Sequence, residues 1–213
     1  MGKLRVHIST SVDGFIAGPN QTLEQPLGEG GEQLHDWVVQ LEAWRKPHGL
    51  EAGEINASTS VVEELQSNVG ATVMGRNMFG GGPGPWKQHD PWNGWWGDDP
   101  PFHTPVFVLT HHPREALEME GGTTFHFVTD GIESALDQAR QTAGDRDVLI
   151  GGGANVVQQY LAARLVDELE LHVVPFLLGD GERLLENVGD LNLEQVRAVE
   201  APGVTHIKYR VIK

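Results

Sequence analysis

Leu4, Val6 and Ile8 alternate with Arg5, His7 and Ser9, the period-2 pattern of a strand that buries one face. Asp13-Gly14 supplies turn chemistry, Phe15-Ile16-Ala17 is a short apolar return, and Gly18-Pro19 breaks the chain again. Residues 18–31, rich in Gly, Pro and Glu, read as a mobile surface loop. Apolar residues then fall at 34, 37, 38, 41 and 44, one face of a helix from Leu34 to Trp44. A second helix is expected from Ser60 to about Ser67, with Ser58, Thr59 or Ser60 as N-cap and Glu63 and Glu64 in its first turn.

Ala71-Thr72-Val73-Met74-Gly75 is a short buried strand that runs directly into Arg76-Asn77-Met78-Phe79. Residues 80–105 carry Gly at 80, 81, 82, 84, 94 and 97, Pro at 83, 85, 91, 100, 101 and 105, and Trp at 86, 92, 95 and 96. That composition excludes regular helix and central strand. A loop of this length is functional or disordered, and the clustered Trp favour the ordered, functional option.

The second half alternates strands and helices. Strands are expected at 105–110, 124–128, 147–150 and 166–174, with helices at 132–143 and 154–163. Residues 191–200 and 204–212 form a terminal hairpin around Ala201-Pro202-Gly203. The pattern predicts an α/β sandwich with a central, mostly parallel sheet and an antiparallel C-terminal edge. No repeat or linker divides the chain, so residues 1–213 are expected to form one domain.

The charge narrows the field of functions. Fifteen Lys and Arg against 30 Asp and Glu leave a formal charge of −15, which argues against nucleic-acid and anionic-membrane surfaces. The absence of Cys removes disulfides, thiolate catalysis and Cys-ligated metals. No apolar run approaches the roughly 20 residues of a membrane span, and the N-terminus has no signal-peptide core, so the expected location is the cytoplasm.

Three strand ends carry candidate chemistry. Gly151-Gly152-Gly153 joins a buried strand to a helix, which lets the backbone approach a ligand and presents helix N–H groups to a phosphate. The same residues also suit a tight packing turn. Gly75-Arg76-Asn77 places a guanidinium at a strand's carboxyl end, where α/β proteins bind ligands; alone, Arg76 would read as a surface ion pair. Thr110-His111-His112 adds a hydroxyl and two imidazoles, but adjacent His rarely share a metal, and no metal is expected. The remaining His read as structural or solvated.

Together these ends suggest a dinucleotide-phosphate site. Ser11-Val12-Asp13-Gly14-Phe15-Ile16-Ala17, Val73-Met74-Gly75-Arg76-Asn77-Met78-Phe79, Val106-Phe107-Val108-Leu109-Thr110 and Ile150-Gly151-Gly152-Gly153-Ala154-Asn155 follow the order seen in dihydrofolate reductase-like proteins. The chain resembles most the stand-alone form of the reductase domain of the bacterial riboflavin-biosynthesis deaminase-reductase. Pro175-Phe176-Leu177-Leu178-Gly179-Asp180-Gly181 shares that likeness, which spans about residues 3–212.

The resemblance implies a dihydrofolate reductase-like three-layer sandwich and an NADPH-dependent reductase of a planar, pterin- or pyrimidine-like heterocycle. It implies that Arg76, flanked by Gly75 and Asn77, contacts the 2′-phosphate of NADPH, with Thr110 and His111 at the adenosine end. It places Gly151, Gly152, Gly153, Ala154 and Asn155 at the pyrophosphate and nicotinamide, and Ile16 and Ala17 around the nicotinamide. Asp130, before Gly131, lies near the adenine or simply caps a helix. Asp36 stands roughly where dihydrofolate reductase holds its catalytic carboxylate, and otherwise is a solvated helix-face acid. Asp13, Trp37, Trp86 and Trp96 are the substrate candidates; Trp86, Trp95 and Trp96 either stack on a flat substrate, fill a dimer interface or form a surface mini-core. The likeness also implies a homodimer through the C-terminal strands. The competing reading is a catalytically idle or regulatory NADP(H)-binding protein of the same fold.

Overall fold

A computed structural model describes residues 2–87, 89 and 91–213. Gln88 and Asp90, within the Trp-rich loop, and Met1 lie outside the described residues. In chain order the elements are β1 (Leu4–Ser11), β2 (Phe15–Ala17), α1 (Asp36–Val39), α2 (Glu42–Arg45), α3 (Ala57–Gln66), β3 (Val69–Gly75) and α4 (Arg76–Phe79). There follow β4 (Pro105–Leu109), β5 (Leu117–Glu118), β6 (Thr124–Val128), α5 (Gly131–Ala143), β7 (Asp147–Gly152) and α6 (Ala154–Ala162). The chain closes with β8 (Glu168–Val174), β9 (Glu182–Arg183), β10 (Asn192–Ala201) and β11 (Val204–Ile212).

One sheet of nine strands runs in the order β10-β11-β8-β1-β7-β3-β4-β6-β5. The six central strands, β8 to β6, are parallel, whereas β11, β10 and β5 join antiparallel. Their Val- and Phe-rich segments suit a sheet covered on both faces. On one face Leu4, Val6, Val73, Phe107 and Ile150 pack with Ala135, Leu136, Val157 and Tyr160 of α5 and α6. Tyr160 is fully buried and donates its phenolic hydrogen to the Ile132 carbonyl (2.7 Å), so its polar end is satisfied.

The opposite face is covered in two unlike ways. Over β3, β4 and β6, Met74, Phe79, Val106, Val108 and Phe125 pack against Trp86, Trp92, Trp96 and Phe102. The Trp-rich loop therefore serves as a core layer built without regular secondary structure among its described residues. Its indoles are tied to backbone: Trp86 donates to His112 O (2.9 Å), Trp92 to Phe79 O (2.7 Å) and Trp95 to Met78 O (2.9 Å).

Over β1, β8 and β11 lie α1 and α3, and this layer corrects the one-face reading of β1. The polar positions of the alternation, Arg5 and Ser9, are as buried as the apolar ones. Arg5 pairs with Asp147 (3.0 Å), Arg197 with Glu170 (2.9 Å), and Lys208 with both Glu64 of α3 (2.8 Å) and Glu168 (3.1 Å). Two of the histidines read as structural or solvated meet in this layer and are buried. His172 and His206, cross-strand partners, share a hydrogen bond between their Nδ1 atoms (2.8 Å), and His206 Nε2 meets Ser58 Oγ of α3 (2.9 Å).

Two helices differ from expectation. The apolar stripe of residues 34–44 is broken into a 3-10 turn, Gly31–His35, and the short α1 and α2. Leu41 is extended there, and Glu54 bonds both Glu42 N and Gln40 O, which a continuous helix forbids. Helix α3 starts three residues early because Asn56, not a serine, caps it: Asn56 Oδ1 accepts from Ser58 N (2.9 Å), and Thr59 Oγ1 accepts from Asn56 N (3.0 Å). The 18–31 loop is closed at its base by Gly18 N to Leu27 O (2.8 Å) and Glu29 N to Pro19 O (2.9 Å).

Candidate active site

The parallel strands end along one edge, and that edge collects the glycines and two guanidinium groups. Gly152 of β7 lies beside Met74 of β3, its φ of 124° being open to glycine alone among the ordinary residues. The Gly152–Gly153 peptide is cis. A Cβ at Gly75 would come within 2.8 Å of Val156 Cγ2, so α6 sits directly against the end of β3. A Cβ at Gly153 would touch nothing within 4 Å, which leaves the start of α6 open. Gly153 caps α6 without a side chain, and the first helical bond is Val157 N to Gly153 O (3.2 Å). The preceding N–H groups of the first turn have no intrahelical acceptor, the arrangement that suits a phosphate.

Arg76 begins α4 next to this glycine turn and is half-buried. Its Nε donates to Gly80 O (3.1 Å), Nη2 to Gly82 O (3.0 Å) and Nη1 to Thr110 Oγ1 (3.4 Å). The Trp86 ring covers one face of the guanidinium, 3.2 Å from its carbon, and Arg114 lies 5.1 Å from the same ring. Arg114 itself reaches back to Trp92 O (2.5 Å) and Asn93 Oδ1 (2.8 Å). Burial, then the charge of Arg114, loosens the hold of Arg76 on its proton, while burial alone does so for Arg114. Among the described residues neither guanidinium has a carboxylate partner. In a chain of charge −15, this edge therefore keeps local positive potential available to an anion.

The other candidates fall into three groups. Thr110 is buried at the end of β4 and accepts from Arg76, whereas His111, Asn77 and Asn155 are exposed on the same rim. Asp130 occupies the N-cap position of α5, makes no capping bond, and accepts from Thr129 Oγ1 (3.4 Å). Ile16 and Ala17 are buried in β2, alongside β9.

Asp13 acts on backbone. Its Oδ1 accepts from Ser11 Oγ (2.6 Å) and Leu178 N (3.1 Å), and Oδ2 from Gly179 N (2.7 Å). The Ser11 hydroxyl first, then the Gly179 and Leu178 amides, hold its carboxyl down to about 2. Asp13 thus pins the segment after β8 to the turn after β1.

The structure separates the remaining candidates. Asp36 is exposed on α1, and its neighbour Trp37 packs inward, donating Nε1–H to Ser9 Oγ (3.1 Å). Trp96 is embedded against Phe102 and Phe125, 4.9 and 6.0 Å between ring centroids. It belongs to the mini-core. Trp86 is half-buried and borders a cavity of about 320 Å³ with Leu23, Gly81, Lys87, Pro91, Trp92 and Asn93, where the two loops face each other.

Sequence reasoning missed Arg114 and the Ser9–His172–His206 row. The row had a visible signal, polar residues at every second position of β1 and β8, but that pattern normally marks a solvent face.

Comparison with known proteins agrees with the geometry. Residues 2–207 match the RibD C-terminal domain. The chain is 27% identical over 213 residues to the uncharacterized protein YyaP of Bacillus subtilis strain 168, covering 97% of this chain and 94% of that one. A putative riboflavin biosynthesis protein from Shewanella sp. PV-4 superposes with a TM-score of 0.65 at 21% identity, covering 99% of both chains. Dihydrofolate reductase from Enterococcus faecalis, complexed with NADP(H), gives 0.53 at 15% identity over 100% of this chain and 98% of that one. The sheet is thus of the dihydrofolate reductase-like kind, and the chain belongs to the RibD C-terminal domain family.

Proposed function

We propose that this protein is an NADPH-dependent reductase that delivers hydride to a small planar heterocycle of pterin or pyrimidine type. The observation that carries this reading is the alignment of Gly75-Arg76, Thr110 and Gly151–Gly153 on one sheet edge of a RibD C-terminal domain. The residues fit the cofactor: an open glycine turn, a helix start with free N–H groups, and a guanidinium without a described carboxylate. When bound, NADPH would supply the hydride.

The chain's own part is positioning and water exclusion. Arg76, pre-oriented by Trp86 and by acceptors on Gly80, Gly82, Gly84 and Thr110, would hold the 2′-phosphate, with Thr110 and His111 beside it. Gly152, Gly153, Ala154 and Asn155 would hold the pyrophosphate. Ile16 and Ala17 would border the nicotinamide, kept in place by Asp13. The cavity beside Trp86 and the closed 18–31 loop would shelter the reacting face. Water, or Asp36 at the rim of α1, would provide the proton.

Titration of the purified chain with NADPH and NADH, followed by Trp fluorescence and calorimetry, tests the reading. Saturable NADPH binding at least about tenfold tighter than NADH is expected. No binding by either method would overturn it. Binding without NADPH oxidation across pterins, pyrimidines and quinones would describe an idle binder instead.

A homodimer is part of the same proposal. Leu171, Ile207 and Tyr209, adjacent across β8 and β11, are only half-buried, and Ala198 of β10 extends their row. A second copy would cover this face. Ile207→Asp with Tyr209→Glu is expected to convert a dimer of about 47 kDa, twice 23.3 kDa, to monomer in light scattering. A wild-type monomer would refute the proposal.

A further inference from the structure

We propose that residues 82–85 form a strap that competes with the 2′-phosphate of NADPH for Arg76. The inference rests on the reductase reading and adds a cofactor-gated step to the same site. A guanidinium takes a phosphate through two parallel N–H groups on one edge. The two edges able to do so, Nε with Nη2 and Nη1 with Nη2, share one nitrogen. In Arg76 that nitrogen already serves the chain, donating to Gly82 O (3.0 Å) and, at greater length, to Gly84 O (3.5 Å). A half-buried charge without a described carboxylate partner needs such acceptors. A bidentate phosphate must therefore displace the strap.

The ends of the strap are anchored and its middle is open. A Cβ on Gly81 would come within 3.0 Å of Trp92, so the entry lies against that indole. At the exit, Trp86 donates to His112 O (2.9 Å) and meets Phe127 edge-on, 5.0 Å between centroids. Between them, a Cβ on Gly82 or Gly84 would touch nothing within 4 Å, and Pro83 and Pro85 are exposed. Among the described residues, 82–85 make no hydrogen bond except the two to Arg76. Opening the strap thus breaks two bonds to one group, and a phosphate replaces them with charge-assisted ones. The Nε bond to Gly80 O (3.1 Å), the Nη1 bond to Thr110 and the Trp86 stack lie outside the strap and keep the guanidinium aimed. NADH, without the phosphate, has nothing to exchange for those carbonyls.

The double variant Gly82→Ala, Gly84→Ala tests this. Both glycines are left-handed, with φ of 74° and 82°, so alanine fits the space but disfavours the backbone that carries the strap onto Arg76. The variant is expected to bind NADPH and adenosine 2′,5′-bisphosphate about five- to tenfold tighter than wild type in calorimetry, with NADH unchanged. Unchanged or weaker binding of the two phosphorylated probes overturns the inference. Rapid mixing of wild type with NADPH supplies a second readout. The rate of the Trp fluorescence change is expected to level off with concentration as strap opening becomes limiting, and a rate that climbs in proportion throughout overturns the inference. Should the double variant not fold, these kinetics decide alone. Either failure leaves the equilibrium NADPH titration intact, whereas failure of wild type to bind NADPH at all removes the reductase reading, and this inference with it.

Discussion

Arg76→Ala is expected to weaken NADPH binding roughly 100-fold while changing NADH binding by no more than a few-fold. The 2′-phosphate is the group that distinguishes the two cofactors, and a forked guanidinium is the side chain suited to it. The comparison needs both cofactors because Arg76 does two jobs. It donates to Gly80, Gly82 and Thr110 and lies under Trp86, so its removal also loosens the start of the Trp-rich loop. Loosening the loop affects both cofactors alike, whereas loss of the phosphate contact affects NADPH alone. The ratio of the two losses therefore isolates the phosphate contact. Arg76→Lys keeps the charge but not the fork or the flat stack, and is expected to fall between wild type and Ala. Equal losses for the two cofactors in Arg76→Ala would reduce Arg76 to a loop anchor.

Unfolding free energy is expected to fall as the pH drops from about 6.5 toward about 4, the upper part of that window, above about 5, being set by histidines. His7 is lowered to about 4 by burial and by Arg5, His206 to about 4 by burial and by Arg197, and His172 lies well below its ordinary value. In each case the folded chain prefers the neutral imidazole. Between the two pKa values the unfolded chain takes up protons that the folded chain refuses, so stability rises with pH across the window and is unaffected above it. For His206, only 1% exposed and displaced from 6.5 to about 4, full protonation costs about 3 kcal/mol. His7 and His172 act in the same direction. Asp13, lowered from 3.8 to about 2, is lost only at still lower pH. Urea unfolding midpoints measured from neutral pH to about 5 would display the slope, and His206→Gln is expected to make it shallower by one proton. A flat profile in wild type would mean that the histidine row is hydrated in solution.

Particular residues show how much of this was legible in the chain. The strands Pro105–Leu109, Thr124–Val128 and Val204–Ile212 and the helices α5 and α6 are apparent from periodicity, because each buries one continuous stripe or run whose spacing reports its geometry. The glycine turn is apparent because three successive glycines between a buried strand and a helix mark a backbone position closed to other residues, and Gly152 does adopt one, with φ 124°. The break at Leu41 is not local: it comes from Glu54, twelve or more residues on, competing for the backbone groups of Gln40 and Glu42. Trp96 could not be told from a substrate wall, since an indole in a Gly- and Pro-rich loop has the same sequence signature whether its neighbour is a ligand or Phe125.

By itself, then, the sequence determined the main strands and helices and the parallel centre of the sheet, since these follow from short-range spacing. The tertiary structure alone decided which polar residues are buried. The alternation of β1 and β8 is the same whether water or α3 lies over Arg5, Ser9, Glu170 and His172, and only the packing of α1 and α3 turned that face into a buried layer of ion pairs and imidazoles beneath Trp37.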